Sequence, residues 1–90
     1  MNFIHAEEHL DDGDIVVVNS SHQCNVRVMD DANFERFRRD SQHEYYGGAY
    51  KRFPARIQVP RSGRWHVTLD LGGGNANIRY GISYIKTRAA

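Results

Sequence analysis

The tract R-W-H-V-T-L-D-L, residues 64–71, alternates strictly between polar and apolar side chains and limits the folds open to this chain. Its apolar members are Trp65, Val67, Leu69 and Leu71. A two-residue period is that of a half-buried β-strand and not of a helix. We therefore expect a central strand whose largest core residue is Trp65, the only tryptophan of the chain. The opposite, solvent-facing side of this strand would carry Arg64, His66, Thr68 and Asp70.

Further short extended tracts, separated by turn residues, fill most of the remaining sequence. A second strict alternation places Ile78, Tyr80, Ile82 and Tyr84 on one face. The continuous apolar run at residues 14–19 predicts a strand buried on both faces. About seven short strands at this spacing are typical of a sandwich or barrel. We predict a single all-β domain over residues 1–90, an antiparallel β-sandwich of jelly-roll type.

Three other segments carry their own local predictions. Near residues 33–39 we expect one short helical turn, capped by Asp31 or Asn33, with Phe34 and Phe37 on its inner face. Cys24, Val26 and Val28 share one side of an earlier strand, which makes Cys24 a buried, inert thiol. The acidic run at residues 7–14 and the G-G-G-N sequence at residues 72–75 are predicted turns.

Chain length, cysteine count and the lengths of the apolar runs limit the class of protein. Ninety residues support one hydrophobic core. The single cysteine cannot form an internal disulfide, so an oxidising compartment is not indicated. The sequence has neither a secretory signal pattern at its start nor an apolar run approaching the ~20 residues of a membrane span. We expect a cytoplasmic protein that does not bind membranes.

Charge is strongly segregated although the net charge is only +1. Residues 1–35 carry eight acids against Arg27, a net charge of −7. Residues 36–64 carry eight basic residues against Asp40 and Glu44, a net charge of +6. Such asymmetry is informative about partners rather than about the fold.

The basic region is interleaved with aromatic residues and is the sequence feature with the most functional weight. Arginine binds carboxylates and phosphates bidentately, and aromatic rings offer stacking surfaces. We predict a non-catalytic binding or protein-interaction module, with a protein partner or self-association favoured. The alternative is single-stranded nucleic acid or another polyanion, bound by the same region. The candidate binding residues are Arg36, Arg38, Arg39, Tyr45, Tyr46, Lys51, Arg52, Arg61, Arg64 and His66.

Enzymatic and metal-binding patterns are weak in this sequence. His5 and His9 are four residues apart but lack a third marked ligand. The two acidic clusters lack the D-x-D-x-D-G spacing of a calcium loop and are better explained as turns. Cys24 with His22 or His43 lacks a complete set of nucleophile, base and orienting group. We therefore expect no enzyme, no catalytic residues, no metal site and no cofactor.

Three sequence motifs, in the same order along the chain, resemble those of a known family. N-V-R-V-M-D-D-A-N-F at residues 25–34, Y-Y-G-G at 45–48 and V-P-R-S-G-R-W-H-V at 59–67 resemble the small bacterial family called domain of unknown function 1883. The resemblance covers almost the whole chain and implies a compact β-sandwich, without a known activity, ligand or catalytic residue. The order of strands and loops also resembles Golgi-dynamics-type jelly rolls, an analogy of pattern that does not imply a function.

Overall fold

The computed structural model describes residues 2–73 and 77–87. The described chain forms seven strands and one helix. In chain order these are β1 (Ile4–Leu10), β2 (Ile15–Ser20), β3 (Cys24–Asp30), α1 (Asp31–Arg38), β4 (Tyr46–Tyr50), β5 (Ala55–Gln58), β6 (Gly63–Asp70) and β7 (Tyr80–Ile85). No helix in the described part of the chain is long and apolar enough to cross a membrane.

The strands form two antiparallel sheets. The large sheet has the order β1-β6-β3-β4, and the small sheet has the order β5-β2-β7. Most consecutive strands lie in different sheets, so the chain passes repeatedly from one layer to the other, as in a jelly roll. The predicted all-β sandwich is confirmed.

The core lies between the two sheets and is built from alternate residues of each strand. Trp65, Val67 and Leu69 of β6 are buried there, as the alternation predicted. Cys24, Val26 and Val28 of β3 also face this core. The remaining buried members are Leu10, Val16, Val18, Ala55, Ile57 and Val59.

Two predictions about core residues are wrong. Leu71 is 42% exposed because β6 ends at Asp70, before the alternation in the sequence does. Strand β2 is not buried on both faces, since Val16 and Val18 are buried whereas Ile15 and Val17 are only half-buried. Only one side of the small sheet therefore contributes to the core.

The acidic segment near the start of the chain is mainly a strand rather than a turn. Strand β1 runs antiparallel to β6, from the pair Ile4 and Leu69 to the pair Leu10 and Gly63. The turn is confined to the residues after Leu10, and Gly13 has a φ of 92° there. Pairing with β6 overrides the local turn preference of the acidic residues, because every second residue pair of the antiparallel ladder exchanges backbone hydrogen bonds. The predicted turn at residues 72–75 extends beyond residue 73, outside the described residues.

Helix α1 covers the outer face of the large sheet. Phe34 and Phe37, on its inner side as predicted, pack with Met29 of β3 and with Phe3. The solvent-facing side predicted for β6 is wrong for three of its four residues, since His66, Thr68 and Asp70 are buried. His66 lies against α1, where it contacts Asp31 and Phe34.

The helix begins one residue earlier than a cap at Asp31 would place it, and three residues earlier than a cap at Asn33 would. Asp30 is the N-cap, and its carboxylate accepts a hydrogen bond from the backbone N–H of Asn33. The predicted caps, Asp31 and Asn33, lie inside the helix, whose observed span overlaps the helical turn expected near residues 33–39. Because β3 ends at Asp30, the cap also makes the strand-to-helix junction abrupt and turns α1 back over the sheet.

Candidate functional site

A cleft of about 420 Å³ opens at the end of the sandwich where β3 passes into α1. It lies between this junction, the loop at residues 39–45 and the turn that precedes β6. Its lining residues are Met29, Asp30, Asn33, His43, Glu44, Tyr45, Tyr46, Arg61 and Trp65. The cleft thus combines aromatic rings with charged side chains of both signs.

Aromatic rings form one side of the cleft. Tyr45 immediately precedes strand β4 and is 42% exposed. Tyr46 is the first residue of β4 and is 44% exposed. The Tyr46 ring meets the Trp65 ring edge-on, with 6.0 Å between their centroids. Trp65 itself is only 1% exposed, and its indole Nε1–H donates to the backbone oxygen of Arg61 at 3.1 Å. The core tryptophan therefore also forms part of the cleft wall.

Arg61 and Asp30 form an ion pair inside the cleft. The Arg61 Nη2 atom lies 2.5 Å from Asp30 Oδ2, and the guanidinium carbon lies 5.0 Å from the centroid of the Trp65 ring. Burial alone would raise the pKa of Asp30, but the hydrogen bonds from Asn33 and the charge and hydrogen bond of Arg61 lower it overall. Asp30 is thus an ionised carboxylate that caps α1 with one oxygen and binds Arg61 with the other.

The loop at residues 39–45 is fixed against the helix by side chains. Asn33 accepts a hydrogen bond from the backbone N–H of Glu44 at 2.9 Å and donates one to Asp30 at 2.9 Å. The Nδ1–H of His43 donates to the backbone oxygen of Ser41, because a carbonyl oxygen can only accept. The rim of the cleft is consequently held in place by its own hydrogen bonds.

A second hollow, of about 240 Å³, adjoins the cleft. It is lined by residues 30–32 and 61–65. The residues common to the two hollows are Asp30, Arg61 and Trp65. The two hollows therefore adjoin at the Arg61–Asp30 pair.

The structure brings only some of the predicted binding residues together. Tyr45, Tyr46 and Arg61 line the cleft. Arg36, Arg38 and Arg39 belong to the last turn and the C-terminal cap of α1. Lys51 and Arg52 follow Tyr50, which pairs with Cys24, so they lie at the opposite end of β4 from the cleft. Arg64 lines the second hollow, and His66 is buried beneath α1.

Several of the predicted arginines are paired with carboxylates of the same chain. Glu35 binds Arg38 at 3.0 Å and Arg39 at 4.0 Å on the helix surface. Arg64 lies 3.9 Å from Glu7. Lys51 and Arg52, in contrast, have no carboxylate within 4.0 Å among residues 2–73 and 77–87. The basic stretch of the sequence is therefore not one continuous positive surface.

Two polar clusters beneath and beside α1 were not predicted from the sequence. In one, Asp70 binds Arg27 and Asn25 of the neighbouring strand β3, which compensates the burial of its carboxylate. In the other, His66 contacts both His5 of β1 and Asp31 of α1. The sequence signal is that the members on strands occupy outward-facing positions, which is insufficient to indicate which of them meet, or that Asp31 of α1 joins them.

The nucleophile and metal candidates have different surroundings from those that such sites require. Cys24 is buried, and burial raises the pKa of its thiol. The His22 ring binds the hydroxyl of Ser21, and the His43 ring binds the backbone of Ser41. Among the described residues, no group of three or more histidine, cysteine, aspartate or glutamate side chains is arranged to hold a metal ion.

Comparison with known proteins agrees with the motifs in the sequence. The family model described as Domain of unknown function (DUF1883) matches residues 1–88. No curated protein and no solved structure matches the chain. The family match spans almost every residue, including each of the three motifs, the cleft and helix α1. The chain therefore belongs to the DUF1883 family.

Proposed function

We propose that this protein is a non-catalytic binding module and that the cleft at the junction of β3 and α1 receives part of a protein partner. One observation carries the proposal: a cleft of about 420 Å³ in which two exposed tyrosines and an arginine surround a buried tryptophan. Tyrosine, tryptophan and arginine are the residues that most often dominate the energy of protein interfaces. The volume is within the roughly 300–1,000 Å³ typical of ligand pockets.

The rigidity of the rim supports recognition by a preformed site. Asn33 ties the loop to the helix, and Trp65 is anchored by its indole hydrogen bond to Arg61. A partner would therefore lose little binding energy to ordering of the cleft. The exposed faces of Tyr45 and Tyr46 supply apolar area that association would remove from water.

Nucleic acid is the second candidate, favoured by the exposed rings of Tyr45 and Tyr46 as stacking surfaces. The pairing of Arg38, Arg61 and Arg64 with carboxylates weakens it, because those charges are already compensated. Oligonucleotide binding would depend steeply on salt concentration through counterion release. Absence of binding to a single-stranded oligonucleotide at roughly 50 mM salt would remove this candidate.

Capture from a cell extract with matched variants tests the main proposal. Tyr46→Ala removes an exposed ring at the cleft, and Tyr80→Ala removes an equally exposed ring on β7 of the small sheet. We expect a partner that is retained by the wild type and by Tyr80→Ala but lost by Tyr46→Ala. Capture that depends on Tyr80 and not on Tyr46 would show that the binding surface lies elsewhere.

Self-association is a version of the same proposal in which the partner is a second copy. The acidic first third and the basic middle of the chain would then attract each other between molecules, in a manner screened by salt. Sedimentation velocity at low and high salt is the direct measurement. A monomer at every salt and protein concentration would exclude this version and leave a different protein as the partner.

A further inference from the structure

The Arg61 side chain lies in the cleft and contacts two of its lining residues. Its guanidinium lies over the Trp65 ring and binds Asp30, yet its side chain remains 55% exposed. Among residues 2–73 and 77–87, one acceptor binds its N–H groups, Asp30, which accepts from Nη2. An aromatic face and a carboxylate are the two elements that recognise a guanidinium. The chain therefore displays, with its own side chain, the kind of group that this site accepts.

The same side chain lies where two hollows adjoin. Both hollows are lined by Asp30, Arg61 and Trp65. Rotation of Arg61 away from the ring would join them into one groove, uncover the face of Trp65 and leave Asp30 without its cationic partner. A ligand that replaces Arg61 must compensate that carboxylate, because an unpaired, partly buried charge is costly.

The charge of the joined groove favours a cation. Asp30, Asp31 and Glu44 line it with carboxylates. Its basic lining residues besides Arg61 are His43 and Arg64, and Arg64 faces Glu7 at 3.9 Å. An anionic ligand group would have to lie near these carboxylates, whereas a cation would gain from them and from the aromatic faces.

We propose that the cleft binds an arginine or lysine side chain of a partner, and that Arg61 is an intramolecular competitor for this position. The inference rests on the proposed function and specifies the partner chemistry of the same site. It reverses the role expected for Arg61, which becomes a residue that limits binding instead of one that supplies it.

NMR titration with short peptides tests the inference. The probe is acetyl-Gly-Arg-Gly-amide, compared with its citrulline analogue, which has nearly the same shape without the charge, and with acetyl-Gly-Glu-Gly-amide. The readout is the single indole N–H resonance, since Trp65 is the only tryptophan and its Nε1–H is bound to Arg61. We expect the arginine peptide alone to shift this resonance.

Three variants sharpen the measurement. Arg61→Ala should bind the arginine peptide about tenfold more tightly, because it removes the competitor. Asp30→Asn should weaken binding while keeping the helix cap, since asparagine caps as well as aspartate does. Arg56→Ala, an exposed residue on β5 of the small sheet, should leave binding unchanged.

The possible failures are distinguishable. If the glutamate peptide binds and Arg61→Ala abolishes that binding, the site is anionic in its preference and the inference is overturned, although the cleft remains a binding site. If no peptide shifts the indole resonance of either the wild type or Arg61→Ala, the inference is also overturned. The Tyr46-dependent capture then decides separately whether the cleft binds a partner at all.

Discussion

The Nε2 atom of His5 lies 2.9 Å from the Nδ1 atom of His66, and the two imidazole rings are inclined by only 14°. The other nitrogen of His66, Nε2, lies 2.5 Å from Oδ1 of Asp31. Because an ionised carboxylate can only accept, the ring proton of a neutral His66 belongs on Nε2, and Nδ1 then accepts from His5. Phe34 stacks on both rings, with centroid distances of 4.3 Å and 4.2 Å. This chain of contacts joins β1, β6 and α1.

His5→Phe should lower stability and flatten its dependence on pH. Burial and the charge of His66 lower the pKa of His5, as does Arg38 more weakly, against an opposing effect of Glu7. The unfolded state therefore binds more protons than the folded state, so this contribution to stability is present above the ordinary pKa of 6.5 and lost as pH falls below it. At neutral pH the missing hydrogen bond between His5 and His66 should itself lower the free energy of unfolding by about 0.5–1.5 kcal/mol.

Urea unfolding of the wild type and of His5→Phe, at pH values above and below 6.5, measures both effects. His9→Phe is the matched control, because His9 lies on the same strand and face with a 71% exposed side chain. The control should keep the pH profile of the wild type. An unchanged profile in His5→Phe would mean that the titration of His5 is not coupled to folding.

Trp65→Ala should cost about 3–5 kcal/mol, the usual range for emptying a large aromatic site in a core. The residue is 1% exposed and belongs to the core cluster between the sheets. Trp65→Phe keeps an aromatic ring but loses the hydrogen bond to Arg61, and should cost less. Equilibrium unfolding monitored by circular dichroism measures both losses. A folded Trp65→Ala variant of unchanged stability would show that the ring contributes to the cleft alone.

Gly47→Ala should be strongly destabilising. Gly47 has a φ of 119°, and an added Cβ would lie 2.2 Å from the backbone oxygen of Val26 on the paired strand β3. The conformational strain alone is about 1–3 kcal/mol, to which the steric clash adds. Gly81→Ala is the control, because a Cβ there meets nothing within 4 Å and the backbone does not require glycine. Thermal melting should separate the two variants, and equal melting temperatures would contradict the tight β3–β4 approach.

Asp14 should make the fold sensitive to acid. The backbone N–H groups of Asp11 and Thr87, and the Thr87 hydroxyl, donate to its carboxylate and hold its pKa below the ordinary value, although burial opposes them. Its contribution to stability is therefore present above the ordinary carboxyl pKa and lost as pH falls through the lower, folded-state pKa. Asp14→Asn should be less stable at neutral pH and less dependent on pH in the acid range. Parallel acid titrations of stability would contradict this role.

The strand pattern of the protein is largely determined by its sequence. The parity of Trp65, Val67 and Leu69, and that of Val26 and Val28, predicts which face enters the core, since successive side chains of a strand point to opposite sides. The motifs likewise predicted the family. Such information is local, because it depends on neighbours within a few residues.

Whether the outer face of the large sheet is exposed to solvent depends on the tertiary structure. Whether His66 faces water depends on where α1 lies, and the sequence alone does not position a helix of eight residues over a particular sheet. Prediction of the candidate site from the sequence was limited to Tyr45, Tyr46 and Arg61.

The remaining site residues are brought together by packing between distant parts of the chain. Asp30 and Arg61 are 31 residues apart, and His5 and His66 are 61 residues apart. The sequence thus determined most of the strands, the buried faces of β3 and β6, and an abundance of arginine. The tertiary structure alone decided which arginines are compensated by carboxylates, because ion pairing depends on distance in space and not on separation along the chain.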